Sequence, residues 1–439
     1  MSERAKSVLL FLLVLLSILL TCQLWFGRQT AEEVAENGYE PVYFEEPRPL
    51  AQMLLPERIS IYGDGQCYRV RPGDPDFNLF WGALSGMLQE ISEPGHYYYG
   101  ESLPQEAELC LSLQFKPFLP LGPESVWLKS RRSGELAGMQ IWRSADRCWA
   151  VLEVNESAAE LLLLPPQWGA QLAGLHDQFV PAANQLCEEL APGELKLSRG
   201  AAVTVTAPIY VPAGEPVIDE LVLKPELLDR ELLLKTFFIN RNLVREIKER
   251  DGGLIYTDGE QGMRLGNGLD YSHPRLEQKP VNLSYTAALL TAGKLLGYHG
   301  GWPGNLRLVS LHPEDEDEDS PKGLYRAQWY SYFEGYPLLG DSGVVMSYYH
   351  GGLLSYRRSL YELHYTSGNK VPVSDFQEAL KAAVMILADE GVEQFTLEEM
   401  DLAYYFTGMR AIPVWLIRLN GRELILKAVE LIPPEGWEP

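Results

Sequence analysis

Basic residues are in short supply in this chain: 37 lysines and arginines stand against 60 aspartates and glutamates, for a formal charge of −23. A nucleic-acid surface needs a basic footprint to displace counterions, so the balance argues against DNA or RNA as partners. The same shortage argues against broad docking on anionic lipid. Cysteine is scarce as well, five in 439 residues. Cys67, Cys110, Cys148 and Cys187 lie in the main body and form no CxxC pair, which removes the usual zinc and dithiol patterns. An even number in an exported body permits two disulfides, in three connectivities. A body of this size has core enough without staples, so four buried thiols are the preferred expectation. The seven histidines (His96, His176, His273, His299, His312, His350, His364) include no HExxH and no pair at ligand spacing; they read as scattered core or surface residues.

Long apolar runs are absent from all but one place. Val8 to Phe26 reads VLLFLLVLLSILLTCQLWF, 19 residues without a charge. At about 1.5 Å per residue it reaches roughly 28 Å, close to the hydrocarbon thickness of a bilayer. Arg4 and Lys6 precede it, and Glu32, Glu33 and Glu36 follow, so the positive-inside bias puts the N-terminus in the cytoplasm and the body outside. Thr21-Cys22-Gln23 is poor chemistry for signal cleavage, and Leu20-Thr21 is a poor lead-in to a lipidated Cys22. A retained anchor is preferred over a cleaved signal or a lipoprotein. Trp25 and Phe26 suit the outer interface. The expected location is therefore the cell membrane, single-pass, with an extracellular C-terminal body.

Some 410 residues beyond the anchor are enough for two to four domains of roughly 100–200 residues each. Residues 29–50 read as a polar, proline-bearing stalk. Residues 51–200 form a first α+β domain, with a helix at Phe77–Ile91 (Phe80, Ala83, Leu84, Met87, Leu88 and Ile91 on one face) followed by strand-like runs. Residues 201–312 form a middle α+β domain. In it, Glu220 to Glu249 carries helix-spaced apolars broken near Phe237-Phe238, and a hairpin turns at Asp258-Gly259. An acidic linker, 313–321, leads to a C-terminal α+β domain at 322–439. The fold class is α+β: one N-terminal transmembrane helix, then antiparallel sheets with helices packed on one face. The two later units are of similar size and read as a structural duplication without a visible sequence repeat.

The chemical motifs are thin. Gly340-Asp341-Ser342-Gly343 copies the nucleophile core of trypsin-like proteases but lacks the histidine segment that chemistry needs, and Val344 stands where the family has a second glycine. It reads as a turn. Asp315 to Asp319 resembles the start of an EF-hand loop, yet Ser320 and Arg326 occupy the glycine and bidentate-glutamate positions. The glycines around His299 follow a helix and read as its termination. Tyrosines cluster at Tyr97-Tyr98-Tyr99, Tyr330/Tyr332 and Tyr348-Tyr349; alternating aromatics pack a sheet face, with an exposed face for a partner or wall glycan as the alternative. No pair of carboxylates is singled out for glycoside hydrolysis.

One segment resembles a known family. Leu243 to Gly259, LVREIKERDGGLIYTDG, preceded by Phe237-Phe238, is similar to the middle of YycH proteins of Gram-positive bacteria. Tyr404-Tyr405 followed by Ile412-Pro413-Val414-Trp415 resembles the closing strands of YycH and its relative YycI. The resemblance implies a non-enzymatic, membrane-anchored regulator of the WalK–WalR two-component system, which controls cell-wall metabolism. It implies a WalK-like sensor histidine kinase and a YycI-like membrane protein as partners, and no cofactor, metal or catalytic residues. The transmembrane contact expected from small and polar residues on one helix face is Ser17 with Thr21, four apart. The rival readings are a wall-glycan-binding module and a secreted hydrolase.

Overall fold

A computed structural model describes residues 43–432 apart from 64, 75, 92–97, 100–107, 122–133, 145–146, 155–159, 180–185, 198–201, 207, 275–280, 282, 304–305, 315–322, 334 and 341–342, together with Val14, Leu16 and Ser17. Those last three are helical. The remainder of the predicted Val8–Phe26 span, Thr21 included, lies outside the described residues, as do the acidic run 315–319 and the Asp341-Ser342 pair. Among the described residues no helix is long and apolar enough to cross a membrane.

Short helix α1 (Leu50–Met53) leads into β1 (Pro56–Gly63) and β2 (Gln66–Val70), followed by helix α2 (Phe77–Ile91). The strands β3 (Tyr98–Tyr99), β4 (Leu109–Leu121), β5 (Gly134–Ser144), β6 (Arg147–Val154) and β7 (Glu160–Leu164) precede helix α3 (Pro166–Gln178), and β8 (Leu186–Leu190) follows. With β11 (Ile209–Pro212), these strands make a nine-stranded antiparallel sheet in the order β11-β8-β2-β1-β4-β5-β6-β7-β3. Alternation sends Ile59, Ile61, Leu111, Leu113, Met139, Ile141 and Ala150 into the core. Phe77, Phe80, Trp81, Leu84 and Met87 of α2 and Trp168, Leu172 and Leu175 of α3 bury their stripes in the same apolar cluster.

Cys67 and Cys187 face each other directly in the β2–β8 pairing and are joined by a disulfide. Cys110 and Cys148 are free, and burial pushes both thiols up to about 12. The structure thus departs from the expectation of four thiols: strand register, invisible in cysteine spacing, makes one pair bondable. The bridge closes 120 residues of chain. Replacing both cysteines by alanine is expected to lower unfolding free energy by about 2–4 kcal/mol, because an open loop of that size adds entropy to the unfolded state. Urea unfolding of the two proteins measures it, and equal midpoints and slopes would contradict it.

The rest of the chain shares one sixteen-stranded array. One half holds β13 (Arg245–Lys248), β14 (Leu254–Thr257), β15 (Gly262–Leu265), β16 (Gly268–Ser272), β17 (Leu306–Pro313), β18 (Tyr325–Phe333), β20 (Val344–Tyr349) and β21 (Gly352–Ser359). The other holds β9 (Gly193–Lys196), β10 (Ala202–Val205), β12 (Val217–Pro225), β22 (Tyr361–Pro372), β23 (Phe395–Phe406), β24 (Arg410–Leu419) and β25 (Arg422–Lys427). Four-residue β19 (Tyr336–Leu339) links the halves, antiparallel to β18 and parallel to β23. The first half is covered by α4 (Arg230–Phe237) and α5 (Tyr285–Tyr298), which is capped by Ser284 accepting from the Ala287 amide at 3.2 Å. The second is covered by α6 (Phe376–Asp389), whose Phe376, Leu380, Val384 and Leu387 pack with Leu402, Tyr404 and Trp415.

The helical reading of Glu220 to Glu249 is corrected: β12, α4, a 3₁₀ turn at Arg241–Leu243 and β13 occupy it. In β12 the buried residues are Ile218, Leu221 and Leu223. The pairing with β22 is irregular between Asp219 and Leu221, with the extra residues on β22, and the buried positions of β12 step from Ile218 to Leu221, a three-residue, helix-like spacing.

Candidate functional site

The described strands bring three groups of residues to one cleft of about 170 Å³. The nine-stranded sheet contributes Glu57, Arg58 and Arg71, and β17 and β18 contribute Val309, Ser310, Gln328, Tyr330 and Tyr332. The floor is the face of β23–β24–β25 turned away from α6, with Glu399, Asp401, Leu416, Arg418 and Glu423. A β-bulge re-aims side chains at each of the three contributions. β1 slips register between Pro56 and Arg58, β17 between Leu308 and Ser310, and β23 between Leu397 and Glu399. In regular strands neighbouring residues point to opposite faces. The bulges let Glu57 with Arg58, and Val309 with Ser310, line one cavity.

Two nearly buried guanidiniums share one carboxylate at the cleft edge. Arg71 pairs with Asp401 through Nη2 and donates from Nη1 to the Gly335 carbonyl at 3.2 Å. Arg69 Nη2 lies 3.2 Å from the same Asp401 oxygen, and its Nη1 donates to the Tyr210 carbonyl at 2.8 Å. Arg71 also stacks over Tyr336, 4.7 Å from the ring centre. Gly335 is required at its turn: its φ is +80°, and a Cβ there would come 2.6 Å from the Arg71 Cβ. Burial pushes the Asp401 carboxyl up, but Arg69 and Arg71 outweigh it and hold it below the ordinary carboxylate range. Burial and the neighbouring Arg71 bring Arg69 down to about 10.

The opposite arrangement stands on the floor. Arg418 serves two carboxylates, Glu399 at 3.1 Å and Glu423 at 3.6 Å, in a row across β23, β24 and β25. Arg58 packs its guanidinium over Tyr210 at 5.5 Å, and its buried Nε has no hydrogen-bond partner among the described residues.

A second polar centre lies in the first half of the sixteen-stranded array. Arg358 of β21, 1 % exposed, donates to Glu226 at 2.6 Å and to the carbonyls of Gly300 and Gly301. Gly300 sits at φ +112°, and a Cβ there would lie 2.6 Å from Arg358 Nη1. The glycines after α5 thus terminate the helix and also hold an arginine. Beside them His299 packs its ring at a tilt on Phe237, 4.5 Å between centres, with its Nδ1 buried and without a hydrogen-bond partner among the described residues. Burial holds its imidazole down at about 3. An unfolded histidine titrates near 6.5, so below that pH the unfolded chain takes up a proton that the folded one refuses. Stability is therefore expected to fall as pH drops from 6.5 toward 3, by at most about 2 kcal/mol on reaching pH 5. His299→Phe should flatten that part of the pH profile of denaturant unfolding; an unchanged slope would contradict the assignment.

Of the residues singled out in the sequence, Ser17 is helical and Thr21 lies outside the described residues. Of the tyrosine clusters, the side chains of Tyr97-Tyr98-Tyr99 lie outside the described residues and the other two are largely internal. Tyr348 is fully buried and donates to the Ala288 carbonyl at 2.8 Å, while Tyr332 is buried and Tyr330 half-buried at the cleft. Among the described residues no group of three or more histidine, cysteine or acidic side chains could hold a metal. Apart from Tyr330 and Tyr332, the cleft residues escaped sequence reasoning because they are spread from 57 to 423 with no local pattern.

The two segments resembling YycH fall on the β13–β14 hairpin and on β23–β24, where Tyr404 pairs with Pro413 and Tyr405 with Ile412. The whole fold agrees with a solved structure, that of YycH from Bacillus subtilis, at a TM-score of 0.57 and 15% identity, over 87% of this chain and 98% of that one. The chain has a YycH-like fold. An uncharacterized protein from Eubacterium rectale (TM-score 0.37, 11% identity, 55% of this chain and 93% of that one) and the C-terminal domain of YpeB from Bacillus megaterium (0.31, 14%, 48% and 96%) match smaller parts. No family model matches the chain, and no curated protein does either.

Proposed function

We propose that this protein is a membrane-anchored, extracytoplasmic regulator of a WalK-like sensor histidine kinase controlling the cell wall. It acts by protein–protein contact together with a YycI-like partner, and it is not an enzyme. The observation supporting this reading is the YycH-like fold, which spans nearly the full length of the solved YycH chain. The Val8–Phe26 segment supplies the anchor and one contact face, through Ser17 and Thr21.

The test is crosslinking in membranes between this anchor and the kinase helices. Ser17→Leu combined with Thr21→Leu is expected to reduce crosslinking several-fold, the effect of interhelical contacts worth roughly 1 kcal/mol. Unchanged crosslinking and unchanged signalling would overturn the contact. Deleting the extracytoplasmic body while keeping the anchor separates the contribution of each.

A further inference from the structure

We propose that β13 is the contact surface of a symmetric dimer, pairing antiparallel with the same strand of a second copy of this chain. Among the described strands β13 ends the row and pairs with β14 alone. Its four residues are all exposed. The Glu249 amide donates to the Gly253 carbonyl at 2.8 Å, inside the hairpin. Strand alternation then turns the backbone groups of Arg245 and Ile247 toward β14 and those of Glu246 and Lys248 toward the open edge. Such an edge is a template for another strand. Ile239, Leu243 and Ile247 add apolar side chains at 52%, 60% and 50% exposure on the same short segment.

Charge selects the occupant. Arg245-Glu246-Ile247-Lys248-Glu249 reads plus, minus, neutral, plus, minus. A two-fold axis at Ile247 sets Arg245 opposite Glu249 of the second copy and Glu246 opposite Lys248 of the second copy. Four opposite-charge pairs then flank one pair of isoleucines. The backbone agrees with this register, because Glu246 and Lys248, whose amides and carbonyls face outward, meet and exchange both hydrogen bonds. An axis at Glu246 or at Lys248 would set that residue against its own copy, like charge on like. The five residues sum to zero, so two chains of net charge −23 meet here without local repulsion.

The ion pairs within the chain leave room for those of the dimer. Glu246 pairs with Arg230, and Glu249 lies 2.6 Å from Arg264. A carboxylate accepts from more than one cation, as Asp401 does from Arg69 and Arg71. Arg245 and Lys248 have no ion-pair partner among the described residues, and the second copy supplies one to each.

This inference goes beyond the regulatory reading and is tested without the kinase. The full-length chain carries Cys22→Ser, which removes the cysteine of the predicted anchor, and is oxidised with copper–phenanthroline. A directly opposed pair of this kind brings its Cα atoms to about 4.5 Å, within disulfide range. Ile247→Cys is therefore expected to give covalent dimer about tenfold or more faster than Leu243→Cys. Leu243 is no less exposed, but it lies four residues off the axis, so its two copies stand on the order of 20 Å apart. Arg245→Glu with Lys248→Glu, added to Ile247→Cys, turns all four pairs into like-charge pairs and should slow crosslinking about tenfold. Both side chains are exposed, so these variants fold. The proposal is overturned if Ile247→Cys forms dimer no faster than Leu243→Cys, or if the charge-reversed chain crosslinks as fast. It is equally overturned if Ile247→Cys couples to a different protein in place of its own copy.

Discussion

Asp401→Asn is expected to remove about 3–5 kcal/mol of stability, a large fraction of the roughly 5–15 kcal/mol that a native protein has. The side chains of Arg69 and Arg71 are 4% and 7% exposed, and Asp401 is the acidic group within ion-pairing distance of both among the described residues. With an amide in its place, two guanidiniums stay buried without a counter-charge. The cost therefore comes from stranded cations more than from lost attraction. That distinction is measurable. Asp401→Leu combined with Arg69→Met and Arg71→Met strands no charge and should recover part of the loss, although the Tyr210 and Gly335 carbonyls lose their donors. Urea unfolding followed by tryptophan fluorescence reads both variants.

The pH dependence has a definite sign. The folded pKa of Asp401 lies below its unfolded value, so its contribution is complete above about pH 4 and is lost as pH falls through the lower, folded value. Asp401→Asn should lack that acid-range loss. A variant as stable as the parent at neutral pH would show that the triad does not hold the sheets together.

Arg358→Met should cost a similar amount, about 3–5 kcal/mol, within the first half of the larger array. The side chain is 1 % exposed and satisfies Glu226 and two backbone carbonyls. Glu226 is left with no donor among the described residues, and its Oε2 already has none. Arg358→Lys keeps the charge but not the planar fork, so it should recover only part of the loss. Full recovery by lysine would show that charge alone matters there. Thermal and urea unfolding decide between them.

Local structure was legible wherever one period held without interruption. The i, i+3, i+4 stripe of Phe77–Ile91 predicts the helix that is found, and Ser284 and Asp375 cap the helices that follow them. Where the pairing is irregular and the period breaks, as at Asp219–Leu221, the same residues mislead. The cleft was illegible for a related reason. Its side chains are ordinary in sequence, and bulges together with pairings across hundreds of residues give them a common direction; Arg71 and Asp401 are 330 positions apart. The cysteines teach the same lesson, since Cys67 and Cys187 become partners through the β2–β8 register alone.

The interleaving of strands also sets an order of assembly. β12 leaves the ribosome long before β22 and β24, the strands that flank it. Until residue 361 has followed, its backbone edges on both sides stand open, and the edge that meets β24 stays open until residue 410. Folding of such a chain during synthesis therefore has a vulnerable interval, in which Val217–Pro225 can pair with the wrong neighbour. A holdase that covers this stretch during synthesis would raise yield without touching the finished protein.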